Sequence, residues 1–318
     1  MIWTTDKLDI ARMLIRHQSY KEAALKFSSI VNESISEEQL RSALRRHNLQ
    51  KNRLPDTLNP HRPTFDNPLH INADNVAFIS DLHVPYHSKT MLEHLCYIAD
   101  TMKIDTLCIL GDLFNLEAAS HYAMYGDSDP IQAELEAVGD VLSFLSTRFA
   151  YIYITSGNHD ERFQKRAQMP LTLRNLIDMS LAGNETDGRI VVTEYDYMSV
   201  TAHGQRWIGG HPSVSSKYPG EVAQRLASKY KANIAVGHDH KIGFRSTEDG
   251  EYLGVSIGCM ISLDNGSSPM WYKQRRLNLY QDFKNGFLCI VNGTPWLFNA
   301  YGSTCLNGIR TWERWYTR

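Results

Sequence analysis

The sequence predicts an α/β chain: a two-layer β-sandwich flanked by helices, preceded by a small all-α domain. Three observations carry this. Between residues 76 and 156, short apolar runs alternate with helical stretches, as in a sheet covered by helices on its faces. From about residue 190 the chain becomes strand-rich, with tight-turn signals between the apolar runs. Before residue 54, apolar residues recur at helical spacing.

The elements follow in order. In TDKLDIARMLIRHQ (5–18), Leu8, Ala11, Met13, Leu14 and Ile15 fall near a 3.6-residue period, with Thr5 as a cap. SYKEAALKFSSIV (19–31) gives a second helix, capped by Ser19 and turning Ala23, Ala24 and Phe27 inward. SEEQLRSALRRHNL (36–49) gives a third, with Ser36 and Gln39 at capping-box spacing. Three short helices, the last carrying Arg41, Arg45 and Arg46, suggest a helix-turn-helix domain over residues 1–53. Small three-helix units also serve oligomerisation or docking, so a homo-oligomer is the alternative to a nucleic-acid partner.

Residues 54–75 hold four prolines and four asparagines, which marks a linker. A second, larger domain is expected over 76–318. VAFIS (76–80), TLCIL (106–110) and YIYITS (151–156) are buried strands, separated by helices over 88–102 and 131–149. RIVVTE, YMSVTA, RWIGG, NIAVG, GFRST, YLGVSIG and GFLCIVNGTPWLF then supply strands, with HGQR and NGTP as hairpin joints.

Composition bounds the reading. The chain has 318 residues, 42% hydrophobic and 21% charged, enough for a sizeable core and not the composition of a disordered chain. No apolar run approaches the roughly 18 residues that span a bilayer. MIWTTDKLDIARML has acidic residues where a signal peptide has its apolar run, so the expectation is a cytoplasmic protein with no membrane partner. Five scattered cysteines without a C-x-x-C pair read as reduced, buried thiols. Residues 1–53 hold ten basic against six acidic residues, and 271–318 seven against two. The middle is therefore acidic, which suits a metal site flanked by surfaces that accept a polyanion.

Each apolar strand ends in a polar cluster. These are Asp81-Leu82-His83, Gly111-Asp112, Gly157-Asn158-His159-Asp160, Gly210-His211 and Gly237-His238-Asp239-His240. Ligand sites in open α/β sheets lie at the carboxyl ends of strands, so these clusters converge on one rim. Their oxygen and nitrogen donors, without sulfur, suit manganese, iron, zinc or nickel.

D-x-H, G-D, G-N-H-D, a strand-borne His and G-H-x-H, in this order, resemble the calcineurin-like metallophosphoesterases. The likeness covers roughly residues 76 to 300. It implies a two-layer β-sandwich and two divalent ions, manganese first among them, with iron, zinc or nickel as alternatives. By that resemblance Asp81, His83 and His240 hold the first ion, Asn158, His211 and His238 the second, and Asp112 bridges them. His159 matches the family's catalytic histidine and Asp160 its orienting partner. A metal-bound hydroxide is then the nucleophile, and His159 protonates the leaving oxygen or stabilises the phosphoryl charge.

Subfamily departures narrow the substrate. GDLFNLE and GNHDERF lack the arginine that protein phosphatases carry after the second cluster, and GNHDERF, GGHPSVSSKYPG, SIGCMISLD and NGFLCIVNG look more like phosphoesterases of phage and bacterial genomes. For a phage-encoded chain the location is the host cytoplasm. The expected activity is a phosphodiesterase or nuclease acting on DNA. The alternatives are a phosphomonoesterase on nucleotides or phosphoprotein, and a DNA-binding adaptor.

Other residues have two readings. His203, in TAHGQRW, competes with His211, but a hairpin places it at the far end, so His211 is preferred. Arg162 is a candidate phosphate clamp, with an ordinary salt bridge as the alternative. Trp271, Tyr272, Arg275, Arg276 and Tyr280 suit a nucleic-acid groove, and core packing explains them as well. HYAMYGDSDP (121–130) is a lid or a connector.

Overall fold

The computed structural model of the protein describes residues 3–15, 18–46, 68–119, 130–166, 171–182, 189–263, 282–306 and 312–313. The chain divides into two compact units, Met1–Thr64 and Phe65–Arg318.

The first unit contains α1 (Thr5–Ile15), α2 (Tyr20–Val31) and α3 (Glu37–Arg46). Ser19 and Glu22 close a capping box at the start of α2. Ser36 and Gln39 do the same at α3: Gln39 N–H donates to the Ser36 hydroxyl at 3.1 Å and Ser36 N–H to Gln39 Oε1 at 2.9 Å. Ala11, Ile15, Ala23, Ala24, Phe27, Leu40 and Leu44 form the core, and Trp3 stacks on Phe27 with ring centroids 5.2 Å apart. Arg45 and Arg46 are exposed on α3. Arg41 pairs with Glu37 at 2.6 Å and lies over the Tyr20 ring at 4.7 Å.

The second unit is two sheets. The smaller runs β1 (His70–Ala73), β6 (Tyr197–Ala202), β7 (Gln205–Gly210), β8 (Asn233–Val236), β10 (Leu253–Ile257), β9 (Ile242–Ser246). The larger runs β14 (Trp312–Glu313), β13 (Gly302–Cys305), β12 (Thr294–Asn299), β11 (Gly286–Val291), β2 (Val76–Ile79), β3 (Thr106–Leu110), β4 (Tyr151–Thr155), β5 (Ile190–Val192). Alternate side chains of β2 and β3 serve two cores. Val76, Phe78, Cys108 and Leu110 pack with Met198, Val200 and Trp207 of the smaller sheet, while Ala77, Ile79, Leu107 and Ile109 pack beneath helices. Those helices are α4 (Lys89–Met102), α5 (Ile131–Ser146) and α7 (Leu173–Ser180). α6 (Arg162–Arg166) follows β4, and α8 (Glu221–Tyr230) covers β8 and β10.

Three elements depart from the sequence reading. β1 falls inside the stretch expected as linker and pairs parallel with β6, His70 opposite Ser199. Its signal is weak because only Ile71 of its four residues is buried. α7 and α8 were not expected, since both interrupt stretches otherwise rich in strands. The hairpin joints are as read: His203 and Gly204, and Asn292 and Gly293, take the paired positive φ of a type I′ turn. The stretches 54–67, 121–129 and 264–281, with the basic aromatic run at 271–280, lie outside the described residues.

β2, β3 and β4 are mutually parallel, and so are β7 and β8. The polar clusters that follow these five strands therefore share one rim.

Candidate metal centre

The loops after β2 and β3 run together. Asp81 N–H donates to Gly111 O at 3.2 Å and His83 N–H to Asp112 O at 3.0 Å. Asp81, His83, Asp112, His238 and His240 all have φ between 44° and 76°. A left-handed conformation costs a non-glycine residue about 1–2 kcal/mol, and its repetition on one rim marks a place where surrounding structure imposes geometry on side chains. Glycines let these loops approach: a Cβ on Gly157 would overlap the Asp112 backbone nitrogen, and one on Gly237 the Ser80 hydroxyl.

The rim gathers all seven ligands expected from sequence. Asp81, His83 and His240 place one donor atom each within 4.8 Å of one another, and so do Asp112, His211 and His238. His240 Nε2 lies 2.9 Å from Asp81 Oδ1 and 3.4 Å from His83 Nε2. Asp112 Oδ2 lies 3.6 Å from His83 Nε2 and 3.2 Å from His211 Nε2, so it faces both sets. Asn158 Oδ1 is 3.1 Å from His211 Nε2. Asn158 and His238 are half-buried, and the other five are buried. His203 is exposed at the β6–β7 turn, away from this rim.

This donor set fits a divalent ion. The Leu110 carbonyl, 2.8 Å from His211 Nδ1, accepts that nitrogen's proton. The Nε2 lone pair then meets two oxygens, Asp112 Oδ2 and Asn158 Oδ1, an arrangement that demands positive charge among them. Without a cation a proton fills the role. Burial lowers the His211 pKa, but the Asp112 and Asp81 carboxylates outweigh it and push the group up to about 10. Burial raises Asp81 and Asp112, and neighbouring imidazoles overcome it, so both carboxyls lie below the usual range. Nitrogen and oxygen donors without thiolate suit a borderline or hard divalent metal.

His159 also reaches this cluster, grouped with His83 and Asp112, its ring centroid 4.3 Å from that of His83. Its two nitrogens are otherwise engaged. Nδ1 donates to the Asn115 carbonyl at 2.8 Å, and Nε2 faces Arg162 Nη2 at 2.8 Å. A cation on Nε2 would sit against a guanidinium, which disfavours His159 as a ligand. Burial, with the Arg162 charge adding to it, lowers His159 to about 4 against the opposing pull of Asp112.

Two residues make contacts that the sequence reading did not include. Asp160 does not orient His159; its carboxylate accepts the N–H groups of Phe114 at 3.0 Å and Gly157 at 2.8 Å, fastening the β3 and β4 loops together. Burial and nearby Asp112 push its pKa up to about 7. The orienting group is the Asn115 carbonyl, which also accepts Arg162 Nη1 at 2.6 Å. Arg162 is therefore held by a backbone oxygen and His159, a use that neither sequence reading anticipated. Glu134 was missed as well: it is 3% exposed, and its Oε1 accepts the N–H groups of Asn115 and Leu116, each at 2.7 Å. Its only sequence signal is a carboxylate in the first turn of a helix, which most often faces water.

A family model described as calcineurin-like phosphoesterase matches residues 75–242. Among solved structures, Vacuolar Protein Sorting 29 from Cryptosporidium parvum is similar at 15% identity and TM-score 0.39, over 76% of this chain and 95% of that one. Vps29 complexed with zinc, from Entamoeba histolytica, is similar at 14% identity and TM-score 0.38, over 76% and 97% of the two chains. Yfce, a phosphoesterase from E. coli, is similar at 15% identity and TM-score 0.36, over 75% and 96%. No curated protein matches.

Proposed function

The chain belongs to the calcineurin-like phosphoesterase family and is a metal-dependent phosphoester hydrolase, and from that premise we propose that it is a dinuclear phosphodiesterase acting on DNA. The observation that supports a dinuclear centre is the position of Asp112, whose Oδ2 faces His83 on one side and His211 on the other. In this reading Asp81, His83 and His240 would hold one divalent ion, Asn158, His211 and His238 the other, and Asp112 would contribute to both, with manganese the first candidate and iron, zinc or nickel the alternatives. Bound divalent ions supply Lewis acidity, drawing charge from phosphoryl oxygens and acidifying water for in-line attack.

The chain's own groups do the rest. The Leu110 carbonyl fixes the His211 tautomer, so Nε2 faces the centre. Asp81 Oδ2 accepts the His238 N–H at 2.9 Å and ties the two clusters together. His159 is neutral near pH 7, with its proton on Nδ1 and a lone pair on Nε2. Arg162 supplies fixed positive charge beside it, with Nη2 at 2.8 Å from His159 Nε2, and its guanidinium is suited to a phosphoryl oxygen. In this reading Arg162 meets the developing phosphoryl charge, and proton donation from His159 to the leaving oxygen is the alternative.

DNA as substrate is supported by the three-helix unit that precedes the catalytic one, with Arg45 and Arg46 exposed on α3. A nucleic-acid-binding unit tethered to a phosphodiesterase raises the local concentration of substrate without adding contacts at the metals. The test is turnover of bis-p-nitrophenyl phosphate, p-nitrophenyl phosphate and plasmid DNA with manganese, before and after chelation. Manganese-dependent turnover of the diester and of DNA is expected. Turnover of the monoester alone would replace this reading with a phosphomonoesterase.

Among the described residues, no helix is long and apolar enough to cross a membrane.

A further inference from the structure

We infer that Glu134 is a positioning residue for this site, acting through one peptide group to hold His159 and Arg162. The inference rests on the phosphoesterase reading only for its kinetic consequence; its structural half stands on the geometry.

Three successive backbone N–H groups after β3 end on buried carboxylates. Phe114 N–H goes to Asp160, and Asn115 and Leu116 N–H both go to Glu134 Oε1 at 2.7 Å. The peptide unit between Asn115 and Leu116 is the important one. In a trans peptide the C=O and the following N–H point in opposite directions. Holding the Leu116 N–H towards α5 therefore turns the Asn115 carbonyl away from α5. On that far side it accepts His159 Nδ1 at 2.8 Å and Arg162 Nη1 at 2.6 Å. The Leu116 carbonyl adds a longer contact to the same Arg162 nitrogen at 3.4 Å.

The turn does not hold this orientation by local preference. Leu116 has φ 46°, a left-handed conformation with no glycine to ease it, and Asn115, Leu116 and Glu134 are at most 3% exposed. Water does not compete for the two N–H groups, so their acceptor must come from the protein. A charged acceptor is the strong choice, since hydrogen bonds to a carboxylate are roughly twice as strong as neutral ones. With the acceptor removed, the peptide loses what opposes the Leu116 strain. Rotation of that plane takes the carbonyl from His159 Nδ1 and frees the ring to exchange tautomers.

The experiment uses the full-length, zinc-loaded chain, with histidine ¹⁵N spectra to read the tautomer and His159→Gln to assign the signal. Kinetics with bis-p-nitrophenyl phosphate and elemental analysis accompany the spectra. Glu134→Met, similar in length and without an acceptor, should lose the pure Nδ1–H signature of His159. Its kcat should fall about 10- to 100-fold, in line with the cost of ångström-scale misplacement, while KM and metal content stay near wild type. Glu134→Gln keeps an oxygen acceptor and should restore both the signature and kcat. If Glu134→Met does not fold, Glu134→Asp, which keeps the charge but withdraws it by one methylene, should show the same losses in weaker form. A wild-type signature and kcat in the folded Met or Asp variant would overturn the inference, as would a Gln variant as impaired as the Met one. Wild-type protein that turns over no phosphoester would instead defeat the functional reading, and the tautomer spectra would still decide the role of Glu134.

Discussion

Oδ2 of Asp112 lies 3.2 Å from Nε2 of His211, a contact that joins the loop after β3 in the larger sheet to the end of β7 in the smaller. The same oxygen is 3.6 Å from His83 Nε2, so one carboxylate faces both donor sets. Asp112→Asn keeps the shape and removes the charge. We predict that the variant loses occupancy of both ions and at least about 10²-fold in rate, as when electrostatic stabilisation of the transition state is removed. Elemental analysis decides: metal content equal to wild type would exclude Asp112 from a shared position.

His159 gives the opposite pattern. Its nitrogens are engaged by the Asn115 carbonyl and Arg162, so the proposed assignment leaves it outside the metal ligands. His159→Asn is predicted to retain metal near wild-type content while losing about 10²-fold or more in kcat. Loss of metal on substitution would place His159 among the ligands and defeat the assignment.

Gly157 and Gly204 separate steric cost from backbone cost. A Cβ at Gly157 would overlap both the backbone nitrogen and the carboxylate of Asp112, and neither can retreat without moving the β3 loop. Gly204 has φ 74° and nothing within 4 Å, so a side chain there meets only conformational strain. Gly157→Ala is predicted to lose about 2–3 kcal/mol of stability from overpacking, together with metal affinity. Gly204→Ala should lose about 1 kcal/mol and no metal. Urea unfolding of the metal-free proteins measures both, and equal costs would show that the Gly157 contact relaxes without consequence.

The frame of this protein is legible in sequence because its signals are local. Ser36 and Gln39 sit three residues apart and make the capping box that their spacing predicts. The His203-Gly204 turn fixes the hairpin that sends His211 to the rim, and each of the five polar clusters begins within two residues of the end of its strand. What escapes is carried by backbone atoms or by contacts distant in the chain. Asn115 acts through its carbonyl, which no side-chain motif encodes. Glu134 lies 19 residues beyond Asn115 and meets it only when α5 packs against the β3 loop. Asp160 stands beside His159 in sequence, yet its carboxylate turns to Phe114 and Gly157, so adjacency in a motif did not translate into a hydrogen bond.

The DNA reading makes a prediction that the full-length chain can test. On α3, Leu40, Ala43 and Leu44 face the core, and Arg45 and Arg46 project from the exposed side. Arg41 differs, because it is paired with Glu37 and stacked on Tyr20. Substituting Arg45 and Arg46 together by Ala should therefore weaken DNA binding without loosening the helical core, whereas Arg41→Ala would confuse binding with stability. Each phosphate contact contributes about 0.9 to the slope of log affinity against log salt for duplex DNA, so losing two contacts should flatten that slope by roughly 2. Cleavage of DNA should slow in step with binding at low substrate concentration. Turnover of bis-p-nitrophenyl phosphate, which needs no such contact, should match wild type. The salt slope is the deciding measurement, because an oligomerisation or docking role for α3 could change affinity through assembly yet would leave the number of released counterions the same. An unchanged slope in the double variant would remove α3 from DNA recognition and leave the three-helix unit as a docking or oligomerisation element.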